Sequence, residues 1–190
     1  MKEKLTLKNI ILLAVAGVAF IVFCLSFAIP LRFTTAAESG RAPFIIWGCS
    51  KLVANNGQVM GWNDLFGIER MDPNFFGLFG VILALLAAIA LVLAVFVIKN
   101  EKVAKIIVLV CAGVLLLSGI FQFLLVSGFK ASLVNPVIRK YGESIRAELE
   151  KEVVYIQSYF RLSAGSVICG IVTILAAAAA GVSPFLPAKK

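Results

Sequence analysis

The chain has 190 residues, 61% of them hydrophobic and 15% charged, with a formal net charge of +8 and no histidine. Its mean hydropathy is +1.02, whereas a soluble domain averages about 45–50% apolar and about 25% charged residues, so the composition points to a membrane protein. The missing histidine removes imidazole base catalysis, histidine-ligated haem and most zinc sites.

Four apolar runs, each free of Asp, Glu, Lys and Arg, are long enough for a bilayer core of about 30 Å. The first spans residues 10–31 and follows Lys2, Lys4 and Lys8. It exceeds the usual signal-peptide core of about 7–15 residues, so it reads as a retained helix. Cys24 follows the bulky Ile21-Val22-Phe23, which does not suit a lipoprotein cleavage site.

Residues 32–74 then form a polar segment with β character. Phe44-Ile45-Ile46-Trp47 reads as a short strand. Asn55-Asn56-Gly57, between Ser50 to Val53 and Gln58 to Trp62, is a hairpin signal. A hairpin or three-stranded meander is expected, followed by one short helical turn capped by Asn63 and Asp64 and running through Glu69. Trp47 and Trp62 either pack this cap or sit in an interfacial aromatic belt.

The second run covers 75–98 and the third 106–129, joined by a tight basic turn, so the two read as an antiparallel hairpin. Gly80, Ala84 and Ala88 recur every four residues, a spacing that lets helices approach closely in lipid. Gln122 is placed to hydrogen-bond a neighbouring helix.

Residues 130–161 read as one amphipathic helix continuing into the fourth run at 162–182. Asn135 is the expected N-cap, with Pro136 at the first helical position. Ile138, Tyr141, Ile145, Leu149, Val153, Ile156 and Phe160 recur at steps of three and four. Arg146 with Glu150 and Glu148 with Lys151 are reachable pairs on the opposite face. The apolar stripe must be covered by the first outer segment, by a second copy or by another protein. It is expected to pack near Trp47 and Trp62. Gly165 and Gly170 continue the small-residue pattern in the fourth run.

Orientation follows the density of basic residues near helix ends. Lys2, Lys4, Lys8, Lys99, Lys102, Lys105, Lys189 and Lys190 all fall on one side, which sets both termini in the cytoplasm. These lysines suit anionic lipid headgroups, not nucleic acid. Of the four cysteines only Cys49 lies outside the apolar runs. It reads either as a small packed residue or as half of an intermolecular disulfide. No CxxC, phosphate loop, metal cluster or nucleophile–base pair is present, so no catalytic residue, cofactor or metal ligand is expected. The runs also lack the ionisable residues that mark transport pathways.

Four spans, cytoplasmic termini, a large first outer loop with β character and Trp47-Gly48-Cys49 resemble the layout of claudin-like tetraspan proteins. Two features depart from that family: no second cysteine follows Cys49 outside the apolar runs, and the second outer segment looks more helical. The resemblance implies topology alone.

The sequence therefore predicts an all-α integral membrane protein, a four-transmembrane-helix bundle forming one membrane domain over 1–190. A small outer cap is built from 32–74 and 130–161. The expected role is a non-enzymatic accessory subunit of the cytoplasmic membrane, in contact with lipid and binding another membrane protein or itself through the cap. The rival expectation is a channel or transporter component that forms a passive pore as an oligomer.

Overall fold

The computed structural model describes residues 6–28, 31–34, 39–43, 45–49 and 51–186. The chain order is α1 (Leu7–Leu25), β1 (Leu31–Thr34), β2 (Ser39–Ala42), β3 (Lys51–Ala54), β4 (Val59–Gly61), α2 (Trp62–Phe66), α3 (Phe75–Phe96), α4 (Glu101–Phe123), α5 (Leu125–Tyr141), α6 (Arg146–Gln157), β5 (Phe160–Leu162) and α7 (Ala164–Val182). Short 3-10 turns at Glu143–Ile145 and Ser183–Phe185 extend α6 and α7. Among the described residues four helices are long and apolar enough to cross a membrane: α1, α3, α4 and α7 with its terminal turn. The chain divides into two compact units.

One unit comprises residues 1–25, 80–120 and 169–190. Small side chains dominate its interior: Ala16, Ala19, Ala84, Ala87, Ala88, Ala176, Ala177 and Ala180 pack with Leu12, Leu91, Val108 and Leu115. The Ser118 hydroxyl donates to the Gly80 carbonyl at 2.7 Å, so α3 and α4 meet at a position without a side chain. Gly119 lies so close to α7 that a Cβ there would stand 2.6 Å from Ile174 and 3.0 Å from the Gly170 carbonyl. Large apolar residues point outward, among them Phe20, Leu86, Val110, Leu117 and Leu175.

The other unit comprises residues 26–79 and 121–168. Its centre is a five-stranded antiparallel sheet in the order β4-β3-β2-β1-β5. Alternation sends Leu31, Phe33, Ala42, Leu52, Ala54 and Phe160 to the buried face. Phe160 stacks between Phe33 and Phe129 of α5, and Phe129 also meets Trp62, so α5 backs this face with an aromatic core.

The β3–β4 hairpin turns at Asn55-Asn56-Gly57 as its sequence predicts, with the Gly57 N–H donating to the Ala54 carbonyl. Asp64 at the third position of α2 accepts from the Gly61 N–H at 3.1 Å, but Asn63 lies inside the helix, and the turn ends at Phe66 with Gly67 in the left-handed region, not at Glu69. Two further local expectations are corrected. Ile45–Trp47 is a turn and not a strand; both isoleucines are fully buried, and the Ile46 carbonyl accepts from the Asn74 N–H. Phe44 and Ser50 lie outside the described residues. The first apolar helix stops at Leu25, and Leu31 already belongs to the sheet.

The expected single outer helix is two helices and a strand. Asn135 does not cap it: α5 starts at Leu125, with the single residue Leu124 between it and α4, and carries Pro136 inside. Pro136 has no N–H for the carbonyl four residues back, at Ser132. That carbonyl takes the Asp72 N–H instead, at 2.8 Å. Gly142 then breaks the helix at φ +94 and ψ 169, a conformation open essentially to glycine alone. After α6 the chain extends, and Phe160–Leu162 pairs with β1. The period-three-and-four pattern could not show this, because Phe160 sits on the core side in either conformation.

Candidate interaction surface

The stripe residues fall into distinct settings. Leu149 and Val153 are buried, Ile138, Ile145 and Ile156 are half-buried, and Tyr141 is exposed. Two ties hold α6 against α5: the Lys130 ammonium donates to Glu150 at 2.6 Å, and the Gln157 amide donates to the Val126 carbonyl at 2.6 Å. Glu150 also accepts from Arg146 at 3.5 Å. The Lys130 hydrogen bond above all, with Arg146 beside it, holds the Glu150 carboxyl below its ordinary value. Glu143 pairs with Arg146 as well.

The first outer segment does meet α5. Arg139 pairs with Asp72 at 2.5 Å, Lys140 donates to the Gly67 carbonyl, and the Tyr141 hydroxyl lies against Gly67. The contacts to Trp62 come from Phe129, which the stripe did not include. Trp62 is buried, whereas Trp47 is half-buried, stacked on Phe27 and donating to the Ser26 hydroxyl at 3.1 Å. Cys49 is buried, its thiol donating to the Lys51 carbonyl at 3.0 Å, and burial pushes that thiol above its ordinary range. The packed-residue reading of Cys49 therefore fits. Gln122 is fully buried, but neither amide atom has a partner among the described residues, against the expected helix-to-helix bond. Gly80, Ala84, Ala88 and Gly170 are buried, while Gly165 is exposed.

The solvent face of the sheet carries a feature that the sequence reading passed over. Arg32 stands directly opposite Arg41 on β2 and directly opposite Arg161 on β5. Three arginines thus form one row across β2, β1 and β5, with exposed Lys51 on the same face two residues from Val53, the partner of Arg41. None of these cations belongs to an ion pair among the described residues. Beside the row is a cavity of about 740 Å³, lined by Arg32, Thr34, Ser39, Arg41, Asn55 and the Ser163–Gly165 start of α7. The signal was present in each short strand: Leu31-Arg32-Phe33, Gly40-Arg41-Ala42 and Phe160-Arg161-Leu162 set one arginine between residues that alternation turns inward.

No family model matches the chain, and no curated protein matches it.

Proposed function

We propose that the chain is a multi-pass integral protein of the cytoplasmic membrane with both termini inside. It acts as a non-catalytic accessory subunit that binds another membrane protein, or a second copy, through its sheet-bearing unit. The four membrane-length helices and their inside-small, outside-large packing support embedding in lipid. In water, each large aliphatic side chain left exposed forgoes roughly 1.5–3 kcal/mol of burial.

The binding reading is carried by the surface of the α5–α6 segment. Tyr141, Val154 and Tyr155 are 50%, 52% and 65% exposed, on helices that are not among the four of membrane length. Ile138, Ile145 and Ile156 add half-covered apolar area around them. On the same segment Lys130, Arg139, Glu143, Arg146 and Glu150 are paired within the chain, whereas Lys140, Glu148, Lys151 and Glu152 belong to no ion pair among the described residues, so the expected Glu148–Lys151 pair is not formed and charge borders the apolar surface.

Purification in mild detergent with mass measurement tests this. The expected result is a co-purifying membrane protein or a defined oligomer, lost on Tyr155→Asp or Ile145→Asp while the fold persists. A monomer for the unaltered chain, with no partner at any detergent concentration, contradicts it.

A further inference from the structure

The arginine row is costly as it stands. Residues directly opposite in an antiparallel pair have Cβ atoms about 4.5–5.5 Å apart, and like charges there repel. Arg161 relieves part of the strain by donating to the Ser158 and Phe160 carbonyls, at 2.6 and 2.9 Å, which are neutral acceptors. The carboxylates of Asp72, Glu143 and Glu150 are held by Arg139, Arg146 and Lys130. No carboxylate among the described residues lines the cavity beside Arg32 and Arg41. A fixed cluster of cations next to a cavity lined in part by polar groups is the setting that an external anion stabilises.

We propose that this cavity holds the phosphate of an anionic phospholipid headgroup from the outer leaflet of the membrane. Arg32 and Arg41 supply planar guanidinium forks suited to phosphate oxygens. Thr34, Ser39 and Asn55 line the same space with hydroxyl and amide groups; the Asn55 amide already donates to the Ser39 hydroxyl at 2.9 Å. The first turn of α7 opens onto it as well. Ser163 accepts from the Ser166 N–H at 3.2 Å, and the N–H groups of Ala164 and Gly165, at the positive end of a 19-residue helix, have no hydrogen-bond partner among the described residues. Gly165, exposed and without a side chain, leaves that approach open.

Tethering selects a lipid over a soluble anion or an acidic protein segment. Arg161 lies three residues before α7, and Arg32 seven residues after the end of α1. Both α1 and α7 are of membrane-crossing length. If they cross, their outer ends stand at the headgroup level, and Arg161 and Arg32 are tied to those ends by three and seven residues of chain. The inference rests on the membrane-embedded part of the proposed function and is independent of any protein partner.

The test uses the purified full chain in neutral detergent, titrated with phosphatidylglycerol or phosphatidylcholine, with bound lipid counted by native mass spectrometry. A basic residue near an anionic surface corresponds to about fivefold in affinity. Arg32→Gln and Arg41→Gln are therefore each expected to weaken phosphatidylglycerol binding about fivefold, and the double variant roughly 25-fold, with phosphatidylcholine unchanged. Lys151→Gln, on exposed α6, is expected to change neither. If the double variant does not fold, Arg41→Lys replaces it; keeping the charge but losing the fork, it is expected to lose about threefold.

Three results would overturn the site: no preference for phosphatidylglycerol in the unaltered chain, full retention by the arginine variants, or equal competition by inorganic phosphate. Loss of an acidic co-purifying protein from the arginine variants, with lipid binding intact, would assign the face to that protein instead. A chain that is not membrane-embedded shows no sidedness when cysteines placed at positions 102 and 144 are labelled in intact cells with a membrane-impermeant maleimide. A chain that passes it and shows no lipid preference overturns the headgroup site alone.

Discussion

The buried side-chain amide of Asn74 donates to the backbone carbonyl of Leu125 at 2.8 Å, tying the start of α3 to the start of α5. The same side chain accepts from the Gly77 N–H at 3.1 Å, which makes it the N-cap of α3. Its backbone N–H donates to Ile46, so one residue joins two helices and the buried turn of the first outer segment. The side chain lies against Gly128, where a Cβ would stand 2.6 Å from its Oδ1.

Asn74→Ala should therefore cost about 2 kcal/mol, from the lost cap and the lost buried hydrogen bond. Gly128→Ala should also destabilise, because the two hydrogen bonds leave the Asn74 amide no room to move. The double variant should cost less than the sum, since each change removes the reason for the other's effect. Thermal unfolding of the four proteins in one detergent checks this; strict additivity would contradict the shared site.

Gly142 at φ +94 and ψ 169 sets the angle between α5 and α6. Gly142→Ala should cost about 1–3 kcal/mol or shift α6 off α5. Hydrogen exchange should then speed up at the amides of Val153 and its neighbours, while the four long helices keep their protection. Unchanged exchange in α6 would show that the break tolerates a side chain.

The Glu150 carboxyl, held down mainly by Lys130, gives the α5–α6 contact a pH dependence. A carboxyl whose folded value is depressed contributes stability above its unfolded value of about 4.3, and loses that stability as pH falls through the folded value. The unaltered chain should lose thermal stability from about pH 5 to about pH 3 more steeply than Glu150→Gln does. Parallel pH profiles for the two proteins would contradict the role of the Lys130–Glu150 pair.

The arginine row makes a prediction of opposite sign. Arg41→Thr removes a like charge directly opposite Arg32 and introduces a residue that suits a strand. In neutral detergent without anionic lipid, this variant should melt at the same or a higher temperature. A clear loss of stability would mean that Arg41 supports the sheet itself.

The long helices were legible because composition and length decide them without tertiary knowledge. The hairpin at Asn55-Asn56-Gly57 was legible because its turn chemistry is local. Strands β1 and β2 were not, since Leu31–Thr34 adjoins an apolar run and Ser39–Ala42 carries little β propensity; their pairing with each other and with β5 creates them. The helical pattern from Ile138 to Phe160 was real in α5 and α6, but Gly142 and the demand of β1 for a partner cut it in two. The arginine row was hidden because its members lie 9 and 129 positions from Arg32 along the chain, and only the register sets them side by side.

Side-specific labelling tests the membrane placement on which the rest depends. Ser144→Cys and Lys102→Cys, each in a Cys24→Ala background, are treated in intact cells with a membrane-impermeant maleimide. Ser144 lies in the turn before α6 and Lys102 at the start of α4, and both are exposed. The account predicts that position 144 reacts from outside, and that position 102 reacts only after the membrane is permeabilised. Labelling of position 102 from outside, or of neither position until permeabilisation, would contradict it.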